Sequence, residues 1–399
     1  SSSNGLEKRP KLRFPGFDEP WKSALLSNYF AKNIKKNADG AIANVICNSA
    51  KQGLIPQRDY FDKNIANSDN TDGYYIIETN DFVYNPRKST DAPYGPISSY
   101  KYPEAGIVSP LYLCFRAKQE INPLYFEWYF RSSAWHRYIY MSGDSGARHD
   151  RVSIKDDTFF AMPINIPSAK EQDRIALFLN AIEQRIDKQR SLVDALKKYK
   201  RGAIDGLLSR KLHFQTTSSW REMKISELFS PISEKGYDNL TVLTIVQGVG
   251  TQPRDSVERR ISYDKSNTNT YKRVLENDFI LHLRSFEGGL EIANSEGIVS
   301  PAYTILRAKE QIIPLFYYAY FRSYWFISNK LRIAVEGIRD GKSINMETFW
   351  NIVVPYPPIE EQKHIAEYLL CLDTKLKKAK AILDRLKAIK SGFSQQLFI

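Results

Sequence analysis

The chain has 399 residues, of which 42% are hydrophobic, 13% aromatic and 26% charged, with a formal net charge of +12. That length supports two or three domains with proper cores, the composition excludes a disordered polypeptide, and no apolar run reaches the roughly eighteen residues that a membrane-spanning helix needs. The positive surplus favours a polyanionic partner, because each phosphate neutralised releases condensed counterions.

In chain order, residues 1–166 read as short strands and turns. Thr71–Lys88 (TDGYYIIETNDFVYNPRK) runs from an apolar strand through an Asn-Asp turn into a second strand and a basic loop. Pro123–Ser132 (PLYFEWYFRS) is dense in aromatics, and its leading proline predicts a short core helix rather than an exposed base-stacking platform. Residues 167–212 are predicted as a long helix. Ser168 and Glu171 spell an S-x-x-E capping box, and Ile175, Ile182, Leu196 and Ala203 recur at heptad spacing with Gln189 interrupting. Leu179, Ile186 and Val193 form a second line beside them. Residues 213–357 return to strands and turns, with Tyr271–Ser285 (YKRVLENDFILHLRS) and Pro314–Ser323 (PLFYYAYFRS) in the corresponding places.

Residues 358–399, after Pro355, Pro357 and Pro358, are predicted as a second long helix. Its lines are Ile365, Leu372, Ala379, Leu386 and Phe393, and Leu369, Leu376, Leu383 and Leu397. Each helix of about 34 residues would be a rod of roughly 50 Å with one apolar stripe. Two equivalent stripes in one chain predict an antiparallel pair, with Lys197, Lys198, Lys200, Lys377, Lys378 and Lys380 on the outer face. The alternative is that each helix packs only on its own lobe. The fold class expected is therefore α+β: two globular lobes separated by two long antiparallel helices forming a coiled coil, with an internal repeat.

The repeat is explicit. GIVSP stands at Gly106–Pro110 and again at Gly297–Pro301, 191 residues on (297 − 106), and FRAK (Phe115–Lys118) answers LRAK (Leu306–Lys309) in the same register. YFRS recurs at Tyr129 and Tyr320, NDF at Asn80 and Asn277, and the Glu-Gln pair at Glu171 and Glu361. In this register GIRDGKS (Gly337–Ser343) is the second copy of GARHDRVS (Gly146–Ser153). A phosphate-cradling P-loop needs four residues between its glycines and GIRDGKS has three, so this stretch reads as a basic, glycine-flanked surface loop.

Basic and amide residues gather at the predicted turns: Gln57, Arg58, Arg87, Lys88, Arg148, His149 and Arg151 in the first half, and Arg254, Arg284, Arg339 and Lys342 in the second. Arg and Gln read base edges, while Lys and Arg hold phosphates, so these are the candidate DNA-binding residues. No catalytic residue is assigned. The five histidines are scattered and give no metal-ligand spacing, and NPRK at Asn85 is not the N-P-P-[FY] tetrapeptide of amino-methyltransferases. The three cysteines Cys47, Cys114 and Cys371 lie far apart, and no charged-then-apolar leader pattern opens the chain, which points to a cytoplasmic protein without disulfides.

PINIPSAKEQDRIALFL, VPYPPIEEQKHIAEYLLCLDTKL, PKLRFPGF near the start and the terminal GFSQQLF together resemble the specificity subunit of type I restriction-modification enzymes, over nearly the whole chain. The resemblance implies target recognition domains at 1–166 and 213–357, each reading one half of a bipartite DNA site, and conserved long helices at 167–212 and 358–399 that set the spacer. It also implies a non-catalytic chain with no cofactor of its own. The expected partners are double-stranded DNA, two methyltransferase subunits, and restriction and translocase subunits; S-adenosylmethionine, ATP and Mg belong to those subunits. The first copy departs modestly, with Ser168 where the family often has Pro. Two other readings remain open: an ATPase or nuclease built around Gly341, Lys342 and Ser343, and a coiled-coil scaffold that binds DNA without sequence preference.

Overall fold

The computed structural model describes residues 9–60, 71–143, 150–214, 219–257, 265–282, 289–337 and 343–399. Two compact units divide it: the chain up to Arg190 together with Ile382–Ile399, and Ser191–Ala381. Each unit holds one half of each long helix.

The first unit is built on a four-stranded antiparallel sheet in the order Phe30–Lys32, Leu113–Ala117, Phe82–Tyr84, Ile97–Ser99. The second unit repeats that order with Phe229–Ile232, Tyr303–Ala308, Phe279–His282 and Glu291–Ile292. The strands on either side of the Asn-Asp turn do not pair with each other. Tyr75–Ile77 pairs with Gly106–Val108, whereas Phe82–Tyr84 joins the main sheet. Asn80 and Asn277 both adopt left-handed backbone, with φ of 70° and 73°, a conformation that asparagine tolerates better than most side chains.

The repeated motifs explain themselves at this level. Asp81 accepts two hydrogen bonds from Arg116, at 2.6 and 2.7 Å, and Asp278 accepts the equivalent pair from Arg307, at 2.9 and 2.8 Å. NDF and FRAK or LRAK are thus the two ends of one clamp between a buried carboxylate and a part-exposed guanidinium. The clamp holds both guanidiniums firmly in their charged form. The glycine of GIVSP is required by close packing: a Cβ on Gly106 would lie 2.6 Å from Ile46, and one on Gly297 would lie 2.6 Å from Leu243.

The aromatic stretches are core helices. Pro123–Arg131 starts at Asn122, whose side chain accepts from the Tyr125 amide, and buries Tyr125 to Phe130. Its Phe126 and Phe130 meet Phe30, Phe82 and Phe115 of the sheet, mostly edge to face. Pro314–Phe321 does the same in the second unit, with Tyr317 and Phe321 against Phe229 and Phe279.

The long helices span Ala169–Leu208 and Ile359–Gln396, 40 and 38 residues. At 1.5 Å per residue they measure about 60 and 57 Å, longer than the sequence pattern suggested. In the first unit Phe178 meets Phe393 edge-on at 4.9 Å, and Lys390 donates to Glu183 at 2.7 Å, so the two helices run in opposite directions there. In the second unit Lys200 pairs with Asp373, and the hydroxyls of Tyr199 and Tyr368 lie 2.8 Å apart. Ile175, Leu179, Ile186, Gln189, Val193 and Ala203 are buried along the first helix, and Ile365, Leu369, Leu372, Ala379 and Leu383 along the second.

The capping box forms only in part. The Glu171 amide donates to Ser168 Oγ at 3.4 Å, but the Glu171 carboxylate turns away to take two bonds from Arg13, at 2.7 and 2.8 Å. An arginine fork offers a charged partner where the box would offer only one backbone amide, and the charged pair prevails. The neighbouring glutamines close each helix start instead, with Gln172 donating to the Pro167 carbonyl and Gln362 to that of Pro357.

Candidate nucleic-acid interface

In the first unit a cleft of about 370 Å³ opens between the loop Asn85–Ser89, the end of the hairpin Ile46–Ser49/Gly53–Pro56, and the segment around Arg151. It is stitched together by main chain. Arg87 and Arg151 face each other in an antiparallel bridge, Lys88 N donates to Asp150 O at 2.8 Å, and Val152 N donates to Pro86 O at 2.9 Å. The loop keeps its shape because Asn85 Oδ1 accepts from Arg87 N and Asn85 Nδ2 donates to Asn48 O. Gly95 makes room for it: its φ is +83°, and a Cβ there would stand 2.1 Å from Asn85 O.

The cleft floor is committed to the fold. Asn48 donates to Val83 O and Pro96 O and accepts from Ser98, so it has little left with which to read a ligand. Burial pushes the Cys47 thiol and the Tyr112 phenol upward, which keeps both neutral and makes Cys47 a poor nucleophile. Among the described residues the working groups are therefore the cations Arg87, Lys88 and Arg151 on the rim, with the acid Asp150 lying 4.0 Å from Arg151. Such a rim attracts phosphate and presents guanidiniums to base edges.

The other candidates fall elsewhere. Gln57 and Arg58 lie at the opposite end of the hairpin from the cleft, where Gln57 N bonds Val45 O and Arg58 points to solvent beside Asp59. Arg254 holds the same backbone position in the second unit, its amide on Val242 O, but its Nε is buried near Tyr303, whose phenol is raised by burial against the pull of that cation. Arg148, His149, Arg284, Arg339 and Lys342 lie outside the described residues. The flanks of GIRDGKS are described, and they matter. Val335–Glu336 and Ser343–Ile344 pair antiparallel, so this loop joins two strands, whereas a P-loop joins a strand to a helix. Sequence reasoning missed Asn85 as the organiser of the basic loop and Ser109 of GIVSP as a cleft residue; the repeat itself was the signal for the latter. Among the described residues no helix is long and apolar enough to cross a membrane.

The two units thus repeat one sheet order, and the first adds a basic cleft built from main chain whose exposed cations suit a polyanion. Residues 218–388 match the family model of the type I restriction modification DNA specificity domain. The whole chain shares its fold with specificity subunits of known structure. It is similar to the HsdS subunit from Thermoanaerobacter tengcongensis, at 16% identity and a TM-score of 0.54, over 100% of this chain and 99% of that one. It is similar to the type I restriction-modification S subunit from M. genitalium at 14% and 0.54, over 98% and 99%. A chain from a type I system solved for its complex assembly and conformational transition gives 16% and 0.60, over 96% and 98%. No curated protein matches the sequence.

Proposed function

We propose that this chain is the DNA sequence-recognition subunit of a type I restriction-modification complex, with each unit reading one half of a bipartite target. The observation that carries this reading is the repetition of one sheet order in two units of a chain whose second unit is covered, from residue 218 onward, by the match to the DNA specificity domain model. The globular parts at 1–166 and 213–357 are the target recognition domains, and the long helices fix the number of base pairs between the half-sites and dock two methyltransferase subunits. The chain itself performs no chemistry. S-adenosylmethionine, ATP and Mg would be held by the methyltransferase and the restriction and translocase subunits, and the complex would work in the cytoplasm.

The test is adenine-methylation mapping in cells that carry this chain with its methyltransferase partner. The expected product is one asymmetric motif with two short defined parts and a fixed gap. Methylation at a single undivided motif, or none that depends on this chain, would overturn the proposal.

A further inference from the structure

The short helix His136–Ser142 packs on the aromatic core, and its two faces differ sharply. Ile139 is buried, and Tyr138 is partly buried with its hydroxyl on Thr158 O. On the other side Arg137, Tyr140 and Met141, spaced i, i+3 and i+4, form one outward face. Tyr140 is 74% and Met141 72% exposed, high values for side chains that normally seek cover. Arg, Tyr and Met are also among the residues enriched where surfaces meet a partner.

Position says which partner. Gly143, which ends this helix, packs so closely on the next segment that a Cβ there would lie 3.3 Å from Ser153 O and 3.8 Å from Val152. Val152 in turn bonds Pro86, and Arg151 faces Arg87. The end of the helix therefore packs on the segment that carries Arg151, and its exposed face adds Arg137 to that neighbourhood. The second unit places a comparable pair, exposed Arg332 and Ile333, in the turn Leu331–Ala334 just ahead of its own Gly337 loop. Arg137 next to the segment of Arg151, itself bridged to Arg87, favours a polyanion.

We propose that the Arg137–Tyr140–Met141 face is part of the DNA interface of the first unit, with Arg137 on phosphate and Tyr140 and Met141 supplying apolar contact to base edges. The apolar group that duplex DNA offers in its major groove is the thymine methyl, so these two side chains are specificity determinants for thymine in the first half-site. The inference rests on the cleft being a DNA interface.

The experiment uses the full chain assembled with its methyltransferase partner and a duplex carrying the mapped target. Tyr140→Ser with Met141→Ser should weaken binding to that target on the order of tenfold while leaving an unrelated duplex unaffected, the loss expected for one base contact. Replacing the thymines of the first half-site by deoxyuridine should cost the unaltered protein a similar factor and the double variant nothing further. Arg137→Ala should weaken both duplexes alike and reduce the salt slope by about one. Unaltered binding by the double variant overturns the proposal, as does equal loss on both duplexes, or failure to assemble with the methyltransferase, which would make the face a protein-docking surface. Arg87→Ala with Arg151→Ala separates the two levels. If that pair weakens DNA binding and the Tyr140 and Met141 changes do not, only this inference fails; if neither does, the cleft is not the interface.

Discussion

The two copies treat one buried glutamate differently, and the difference predicts a stabilising substitution. Lys11-Leu12-Arg13-Phe14 and Lys211-Leu212-His213-Phe214 sit alike: Leu12 N bonds Gln396 O and Leu212 N bonds Gly206 O, while Phe14 meets Phe178 and Phe214 meets Tyr368. In the first unit Arg13 reaches Glu171, which is 1% exposed, through two bonds that hold the guanidinium firmly charged. In the second unit His213 stands in that place, and Glu361, 4% exposed, leaves Oε2 buried with no hydrogen-bond partner among the described residues. An unsatisfied buried acceptor costs about 1–3 kcal/mol, and a bond to a charged group contributes about 1.5–3 kcal/mol. Ordering an arginine side chain returns up to about 2 kcal/mol of that. His213→Arg should therefore stabilise the local structure by about 1–2 kcal/mol, which corresponds to exchange slowed roughly 5- to 30-fold. Hydrogen–deuterium exchange of peptides covering Leu212–Phe214 and Glu361–Ile365 reads this directly. It does not require that the two units unfold as one. Adding Glu361→Gln should abolish the gain, and Arg13→His should open the first unit's counterpart. Unchanged exchange in His213→Arg, or a gain that survives Glu361→Gln, would refute the reasoning.

Inserting seven residues after Arg190 and seven after Ala381 lengthens each helix by about 10.5 Å, or about three base pairs of DNA. Methylation mapping should then return the same half-sites with a wider gap, and an unchanged gap would reject the helices as a ruler. Gly95→Ala should cost about 1–3 kcal/mol for its left-handed backbone alone, and more for the clash with Asn85 O. The basic loop should exchange faster and bind DNA more weakly, while the second unit stays as it was. His136 is held below its ordinary pKa of 6.5 by burial. As pH falls through 6.5 the unfolded form gains the proton before the folded form does, so the first unit should lose stability in acid. Urea denaturation of the full chain and of His136→Phe at pH 7 and pH 5 checks this, the variant losing less stability on acidification.

Periodicity made the helices and the aromatic cores legible, because burial on one face leaves a trace at fixed spacing. Their ends and their ion pairs were not. The heptad lines give no hint that Glu171 prefers Arg13, 158 residues away, to its own helix cap. The basic loops were visible as charges at turns, but grouping them needs tertiary structure: the bridge between Arg87 and Arg151 joins segments 64 positions apart (151 − 87). Gln57, equally plausible by composition, ends up at the far end of a hairpin. The Tyr140 and Met141 face escaped notice because aromatic and methionine positions in a short helix read as core until the neighbouring strands are placed.

The duplication separates what the fold holds fixed from what it leaves free. Asp81–Arg116 and Asp278–Arg307 recur as the same two-bond pair in both copies, since removing the arginine would strand a buried carboxylate; the arginines are part-exposed, so the cost falls below the about 3–5 kcal/mol of a fully buried pair. Arg87 with Lys88, by contrast, lies exposed on the cleft rim, where most substitutions change stability by less than about 0.5 kcal/mol. The carboxylate clamp fixes the strands that flank the cleft, so residues on its rim can change without disturbing the sheet beneath. The proposed function, two halves recognising different sequences on one scaffold, needs that division. It follows that transplanting Asn85–Ser89 and Arg151 between chains of this fold should move DNA preference with little loss of stability, whereas transplanting Asp81 without Arg116 should cost stability and move no preference.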